Sequence, residues 1–120
     1  MLAQGLVLFT SLVAAVSAST GRGTAYYQYG VAGSCGQVHS DSDLIAAIAN
    51  GKSYCGKQIR AKNTGSNDGV GGLGNELTVT VADTCPSCGA GDVDFSIGAW
   101  NQLTNNSPLG TFNVEWEFIN

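Results

Sequence analysis

Two segments of the chain alternate between apolar and polar residues, the pattern of a β-strand with one buried face. In residues 76–83 the apolar positions are Leu77, Val79 and Val81. In residues 111–118 they are Phe112, Val114, Trp116 and Phe118. We therefore predict a strand in each segment. A short first strand is predicted over residues 23–27, Gly-Thr-Ala-Tyr-Tyr, because strands favour β-branched and aromatic residues.

Two other segments carry the signals of short helices. Residues 44–49 are Leu-Ile-Ala-Ala-Ile-Ala, and they follow Asp41-Ser42-Asp43, in which an Asp or Ser side chain can cap free helical amides. We predict two helical turns there, ending at Asn50-Gly51. Ser96 is a second capping residue and predicts a helix over residues 97–103.

Together these elements predict a mostly β protein built as a small closed barrel. Several short strands with two or three short helices favour this architecture, since closure removes the exposed edges of a small sheet. Residues 64–75 contain five glycines and are expected to form a mobile surface loop. The length of the chain suits one hydrophobic core and a single domain.

The N-terminal segment has the features of a secretory signal. Residues 6–16 form a short, mostly apolar run that ends in Val16-Ser17-Ala18, a small-residue pattern typical of signal peptidase sites. The alternative is a membrane anchor, but a spanning helix needs about 20 apolar residues and this run is shorter. We therefore expect residues 1–18 to be removed and residues 19–120 to act outside the cell or in the cell wall.

Charge excludes two classes of partner. The chain has a formal net charge of −4 and only five Lys and Arg residues. Nucleic acid and anionic membrane surfaces are bound through basic patches, which this composition does not supply. We expect neither as a main partner, and we expect the mature protein to be a monomer.

Four cysteines in a small secreted chain predict two disulfides, for which three pairings are formally possible. Cys85 and Cys88 are close enough in sequence to pair with each other, which would leave Cys35 with Cys55. Pairing of Cys55 with Cys85 or Cys88 stays open from spacing alone. A disulfide between Cys35 and Cys55 would stabilise the fold by roughly 3 kcal/mol.

The cysteine pattern does not favour redox or metal chemistry. A reactive Cys-x-x-Cys pair needs its first Cys at a helix N-terminus, but Gly89-Ala90-Gly91 follows this pair. A four-cysteine zinc site usually has a second short-spaced pair, which is missing here. We expect no metal and no cofactor, and a surface or hydrogen-bonded role for the lone His39.

Carboxylates and aromatic residues are the candidate site groups. Asp83 ends the best predicted strand and Asp94 follows the cysteine-bounded turn, so both can lie at one rim of the barrel. Two nearby carboxylates push their pKa values apart, as cleavage of a sugar bond requires. The alternative is structural, with Asp83 binding turn amides, Asp94 capping a helix and Asp92 in solvent. The aromatic residues could stack on sugar rings or fill the core; they are Tyr26, Tyr27, Tyr29 and Trp100.

A series of motifs resembles a known family. They are Gly23-Thr24-Ala25-Tyr26-Tyr27, Gly33-Ser34-Cys35-Gly36, Asp41-Ser42-Asp43, Cys55-Gly56-Lys57, Val79-Thr80-Val81-Ala82-Asp83-Thr84-Cys85-Pro86-Ser87-Cys88 and Val93-Asp94-Phe95-Ser96-Ile97-Gly98-Ala99-Trp100. Their order is similar to that in small secreted double-psi β-barrel proteins, namely barwin, the expansin catalytic-like domain, fungal loosenins and the rare lipoprotein A domain. The resemblance implies a six-stranded double-psi β-barrel.

The resemblance also implies a polysaccharide groove. Asp94 matches the acidic residue that donates a proton in hydrolytic relatives, and Asp83 matches the acidic residue that ends the preceding strand. Thr24 and Tyr26 match the Thr and Tyr that line the same groove, with Trp100 as a weaker candidate. Residues 28–34 contain no acid where hydrolytic endoglucanases of this fold place their base, so hydrolysis is expected to be absent or very weak.

Three functions are compatible with this resemblance. The first is a loosenin-like or expansin-like protein that binds cellulose, another glucan or chitin and disrupts contacts without hydrolysis. Full expansin-strength binding is not expected, since Ala25 replaces a usual aromatic residue and no second domain follows Asn120. The second is a protein-binding module, either a papain-type protease inhibitor or a secreted effector, with residues 64–75 as contact loop. The third is a weak lytic enzyme that uses Asp94 as acid.

Overall fold

The protein is described by a computed structural model over residues 18–120, so the predicted secretory signal lies outside the described residues except for Ala18. The elements, in chain order, are β1 (Ser19–Tyr26), β2 (Ile45–Ile48), a 3₁₀ helix (Gly51–Tyr54), β3 (Gln58–Gly65), β4 (Glu76–Thr84), β5 (Val93–Ser96), α1 (Ile97–Thr104) and β6 (Phe112–Phe118). Within residues 18–120, no helix is long and apolar enough to cross a membrane.

The six strands form a closed barrel in the order β1-β5-β2-β4-β3-β6, with β6 paired back to β1. Strand β1 runs parallel to β5, and β2 runs parallel to β4. The other four pairs are antiparallel. This confirms the predicted double-psi β-barrel, and closure leaves none of these strands with an unpaired edge.

The interior is filled by one face of each strand. The strands predicted at 76–83 and 111–118 are β4 and β6, and their alternating apolar residues pack into or against the core, with Leu77 and Phe118 only partly buried. Helix α1 packs against the barrel, with Ala99, Trp100 and Leu103 fully buried. As predicted, the helix is capped by Ser96, whose side chain accepts a hydrogen bond from the amide of Ala99.

The predicted helix over residues 44–49 is wrong: this segment forms β2. All four residues of β2 are buried, and the strand lies between β4 and β5, so both of its backbone edges are hydrogen-bonded. A short apolar run is compatible with a buried strand or a buried helix, and here pairing within the barrel overrides the helix propensity of alanine. Asp43 caps no helix. Instead its carboxylate accepts from the Ser40 amide and bonds His39, which confirms a hydrogen-bonded role for that histidine.

Two disulfides join Cys35 to Cys55 and Cys85 to Cys88, the pairing favoured from the sequence. The glycine-rich segment lies on the surface as predicted, but it is anchored to helix α1. The buried amide of Asn63 donates to the carbonyl oxygens of Gly71 and Leu103, at 3.0 and 2.9 Å. These two bonds hold the middle of the loop against the end of the helix.

Candidate functional site

The two predicted carboxylates lie on strands that flank the same residue. Ala47 in β2 pairs with Asp94 in β5 on one side and with Asp83 in β4 on the other. Asp94 also pairs with Thr24 in β1. The backbones of Asp83 and Asp94 are therefore two strand spacings apart, about 10 Å. Four adjacent strands thus align Thr24, Asp94, Ala47 and Asp83 in one row.

This row faces the outside of the barrel. Val93 and Phe95, the neighbours of Asp94, are fully buried, so Asp94 points away from the core on the alternating strand. A small cavity of about 120 Å³ opens beside it, and its lining includes Thr24, Asp94 and the disulfide Cys85–Cys88. We call the row and this cavity the groove. The Cys85–Cys88 disulfide forms one of its walls.

Asp94 has the environment of a carboxyl that keeps its proton more readily than usual. The Thr24 hydroxyl donates to Asp94 Oδ1 at 2.8 Å. Partial burial raises the pKa of Asp94 above its ordinary value, the bond from Thr24 opposes this rise, and the charge of Asp83 adds to it. Burial is the largest cause, so the Asp94 carboxyl keeps its proton to a higher pH than an exposed aspartate does.

Asp83 serves a more structural purpose. Its Oδ1 accepts hydrogen bonds from the amides of Ser34 and Thr84, at 2.7 and 2.8 Å. The bond to Ser34 ties the segment before Cys35 to the end of β4. Asp83 therefore binds turn amides, as the structural alternative expected, while its charge also acts on the groove.

Asp92 is held in the same way. Its two carboxylate oxygens accept from the amides of Arg22 and Gly89 at 2.9 and 2.8 Å. These bonds lower the pKa of Asp92 below its ordinary value, with the Arg22 amide as the largest cause. The side chain lies in the lining of the cavity, but as a fixed anion that closes the turn after Cys88.

Tyr26 is half-buried beside both carboxylates. Desolvation of the phenol raises its pKa; a hydrogen bond with the Gln28 side chain opposes the rise, and the charges of Asp83 and Asp94 add to it. Gln28 is buried, although nothing in its local sequence pattern separates it from an ordinary loop glutamine.

The aromatic candidates divide between core and surface. Trp100 is fully buried and its indole nitrogen donates to the Ser107 carbonyl at 2.8 Å, so the prediction that it contacts polysaccharide is wrong. Tyr27 and Tyr29 are 45% and 81% exposed, with ring centroids 5.8 Å apart. Tyr29 has a left-handed φ of 56°, in a turn closed by the bond from Val31 N to Gln28 O. This turn presents both rings to solvent.

Metal binding finds no support in the part of the chain that the structure describes. Residues 18–120 contain no group of three or more His, Cys, Asp or Glu side chains arranged to hold an ion. The groove instead offers hydrogen-bond donors and acceptors and one carboxyl with a raised pKa. Such an arrangement can bind the hydroxyl groups of a neutral ligand.

The sequence of one known protein covers nearly the whole chain. An EG45-like domain containing protein from Citrus jambhiri is 32% identical over 122 residues, covering 92% of this chain and 92% of that protein. The chain belongs to the EG45-like domain family. No protein-family model matches it.

Solved structures share the fold of this EG45-like protein. The expansin of Clavibacter michiganensis matches 86% of the chain with a TM-score of 0.64 at 22% identity, and the chain spans 50% of that expansin. A variant of that expansin was crystallised in complex with cellohexaose. The Streptomyces papain inhibitor matches 87% of the chain and 96% of its own length, with a TM-score of 0.65 at 24% identity. The blue mussel β-1,4-D-endoglucanase has a TM-score of 0.58 at 21% identity, covering 86% of this chain and 79% of its own.

Proposed function

We propose that this EG45-like protein is secreted and binds cell-wall polysaccharide, loosening contacts between polymer chains without hydrolysing them. The observation that carries this proposal is the outward-facing row of Thr24, Asp94 and Asp83, in which a half-buried carboxyl lies beside an open cavity. The shared fold with an expansin whose variant binds cellohexaose supports a glucan as ligand. The same groove can serve cellulose, another glucan or chitin.

The absence of hydrolysis is argued from the carboxylates. Inverting cleavage needs an acid and a second carboxylate that activates water. Asp94 has the raised pKa of an acid, but Asp83 accepts two backbone amides through Oδ1, and Asp92 accepts one amide through each of its oxygens. Binding alone is sufficient to disrupt noncovalent contacts between chains, so we assign Asp94 a role in hydrogen bonding to sugar.

The test is depletion of the protein from solution by insoluble cellulose, chitin and peptidoglycan. The Asp94→Asn variant is compared with wild type, and Glu115→Gln is the control because it removes the same charge from an exposed position on β6. We expect wild type and Glu115→Gln to be depleted alike by at least one polymer, and Asp94→Asn to bind several-fold more weakly. No depletion by any polymer would contradict the proposal.

Product analysis of the same supernatants separates binding from chemistry. Reducing ends and anhydro-sugars should be absent for every variant. Release of anhydro-sugars by wild type but not by Asp94→Asn would support the lytic alternative, in which Asp94 is the acid. Release of reducing ends would indicate hydrolysis and overturn the non-hydrolytic assignment.

A second candidate is the protein-binding module. The papain inhibitor from Streptomyces is matched over nearly its full length, and exposed apolar side chains on two loops, Val31 and Leu73, offer possible contacts. Titration of papain with the purified protein tests this function directly. Stoichiometric inhibition would favour it, whereas full papain activity at a tenfold molar excess of the protein would exclude this inhibitory role.

A further inference from the structure

The cavity of the groove is smaller than the ligand it is proposed to hold. Its volume is about 120 Å³, whereas sites for small organic ligands typically have about 300–1,000 Å³. A sugar chain bound there therefore needs protein surface beyond this cavity. Arg22 indicates where that surface lies, because it lines both the groove cavity and a second cavity of about 280 Å³.

The lining of the second cavity is mainly polar. Apart from Arg22, it consists of residues 66–68 in the glycine-rich segment and of Thr111, Phe112 and Asn113 around the start of β6. Ser66 Oγ donates to the carbonyl oxygen of Thr111 at 2.8 Å and accepts from the Asp68 amide at 2.9 Å. These two bonds hold the loop against β6, so the cavity is formed before a ligand binds.

Strand pairing places the two cavities side by side on the outside of the barrel. Arg22 and Thr24 are two residues apart on β1, so their side chains leave the same face roughly 6.6 Å apart. On the side of β1 away from β5, Arg22 pairs with Asn113 of β6, which is exposed between two buried neighbours. The outward-facing row of the groove therefore continues across a fifth strand.

The Arg22 guanidinium is available to a ligand. The residue is exposed and forms no salt bridge with any residue from 18 to 120, so its N–H groups are held by no carboxylate there. The cavities also contain carboxylates, Asp92 and Asp94 in the first and Asp68 in the second. A carboxylated sugar would meet this negative charge, whereas the hydroxyl oxygens of an uncharged sugar can accept hydrogen bonds from Arg22.

We propose that the sugar-binding groove extends across Arg22 into the second cavity, which receives a further part of the same uncharged sugar chain. Arg22 is then a ligand-binding residue that donates to sugar hydroxyl oxygens from between the two cavities, and Asn113 contacts the chain in the second cavity. This inference rests on the proposed function and deepens it, because it names residues, a substrate class and a dependence on ligand length. A short oligosaccharide fills one cavity, whereas a long one fills both.

The test compares ligand length on variants of this extension. Arg22→Gln removes the guanidinium but keeps the backbone amide that binds Asp92, and Asn113→Ala removes a polar side chain that lines the second cavity but not the first. Arg60→Gln is the control, since it removes an exposed arginine from β3, outside both cavities. The soluble probes are cellohexaose and chitohexaose with the disaccharides cellobiose and chitobiose, measured by calorimetry. The insoluble probes are cellulose and chitin, measured by depletion.

We expect wild type to bind a hexasaccharide more tightly than its disaccharide. Arg22→Gln should lower hexasaccharide affinity about tenfold or more and Asn113→Ala about two-fold to tenfold, the range for hydrogen bonds from charged and neutral groups. Arg60→Gln should bind as wild type does. Urea unfolding midpoints should stay at the wild-type value in the two test variants, because both side chains are exposed.

Two results would overturn the extension. Wild-type hexasaccharide affinity in Asn113→Ala would restrict the ligand to the groove cavity, even if Arg22→Gln binds weakly. Equal affinity of wild type for hexasaccharide and disaccharide would show that the second cavity adds nothing. If Arg22→Gln does not fold, Asn113→Ala and the length dependence decide.

Failure of this inference differs from failure of the proposed function. If wild type binds none of the probes, both are wrong. If insoluble polymer depletes wild type and Asp94→Asn is impaired while Arg22→Gln and Asn113→Ala are depleted like wild type, the proposed function stands and the extension is refuted. Tighter binding of polygalacturonate than of either hexasaccharide would overturn the assignment of an uncharged ligand.

Discussion

The two disulfides close loops of very different length, so their separate removal is expected to have unequal effects on stability. Cys35 and Cys55 are 20 residues apart, whereas Cys85 and Cys88 are 3 apart. Constraint of the unfolded chain grows with loop length, and the loop-entropy relation gives about 3.3 kcal/mol for the first and about 1.6 kcal/mol for the second. The long-range disulfide should therefore contribute about twice as much to the free energy of unfolding.

The perturbation is replacement of each pair by alanine. For a domain of this size, each kcal/mol corresponds to a shift of about 4–8 °C in the unfolding midpoint. Removal of Cys35–Cys55 should lower the midpoint by about 13–26 °C, and removal of Cys85–Cys88 by about 6–13 °C. Urea unfolding followed by tryptophan fluorescence provides the free energies, since both tryptophans, Trp100 and Trp116, are buried.

Binding to insoluble polymer should depend on the two disulfides in the opposite order to stability. Cys85 and Cys88 line the cavity beside Asp94, whereas Cys35 and Cys55 line a different one of about 350 Å³. Loss of the short disulfide should therefore weaken depletion by insoluble polymer more than loss of the long one, when both variants are assayed well below their unfolding midpoints. Equal destabilisation of the two variants would refute the loop-length reasoning. Unchanged binding without Cys85–Cys88 would refute its role as a groove wall.

Three further changes test other parts of the structure. Asp94→Asn should raise stability at pH 7, because burial lifts the folded pKa of Asp94 above the ordinary 3.8 and the charged form is therefore disfavoured by folding. The stability advantage of Asp94→Asn should shrink as pH falls through the folded pKa and vanish below 3.8, where Asp94 is protonated in both the folded and the unfolded protein. Urea unfolding midpoints measured across pH check this. A difference between the two proteins that does not depend on pH would contradict it. Tyr29→Gly should raise the free energy of unfolding by about 0.5 kcal/mol, since relief of left-handed strain of about 1–2 kcal/mol exceeds the entropy cost of glycine of about 0.5–1 kcal/mol. The same variant should bind insoluble polymer more weakly, because an aromatic ring that is 81% exposed is lost, and unchanged depletion would exclude that contact. Gly51→Ala should destabilise by about 3 kcal/mol or prevent folding, because its Cβ would lie 1.8 Å from the carbonyl oxygen of Asp83; thermal unfolding near the wild-type midpoint would contradict the close approach.

The sequence predicted a strand correctly where its alternation of apolar and polar residues matched one buried and one exposed face in the folded protein. Alternation in residues 76–83 and 111–118 predicted β4 and β6, because one face of each strand meets the core and the other meets solvent. Strand β2 was misassigned because its environment is set by partners that are remote in sequence. It pairs with residues 80–84 and 94–95, and burial on both faces removes the alternation that would have identified it.

In the groove, too, residues within recognisable motifs were predicted, whereas the surroundings of other residues depend on contacts remote in sequence. Asp83, Asp94, Thr24 and Tyr26 were found because their motifs resemble those of a family, and pairing of β1, β5, β2 and β4 brings them together. Gln28 has no such motif. Its side chain is buried by residues that only the folded chain brings around it, and its backbone amide bonds the carboxylate of Asp41, which is 13 residues away.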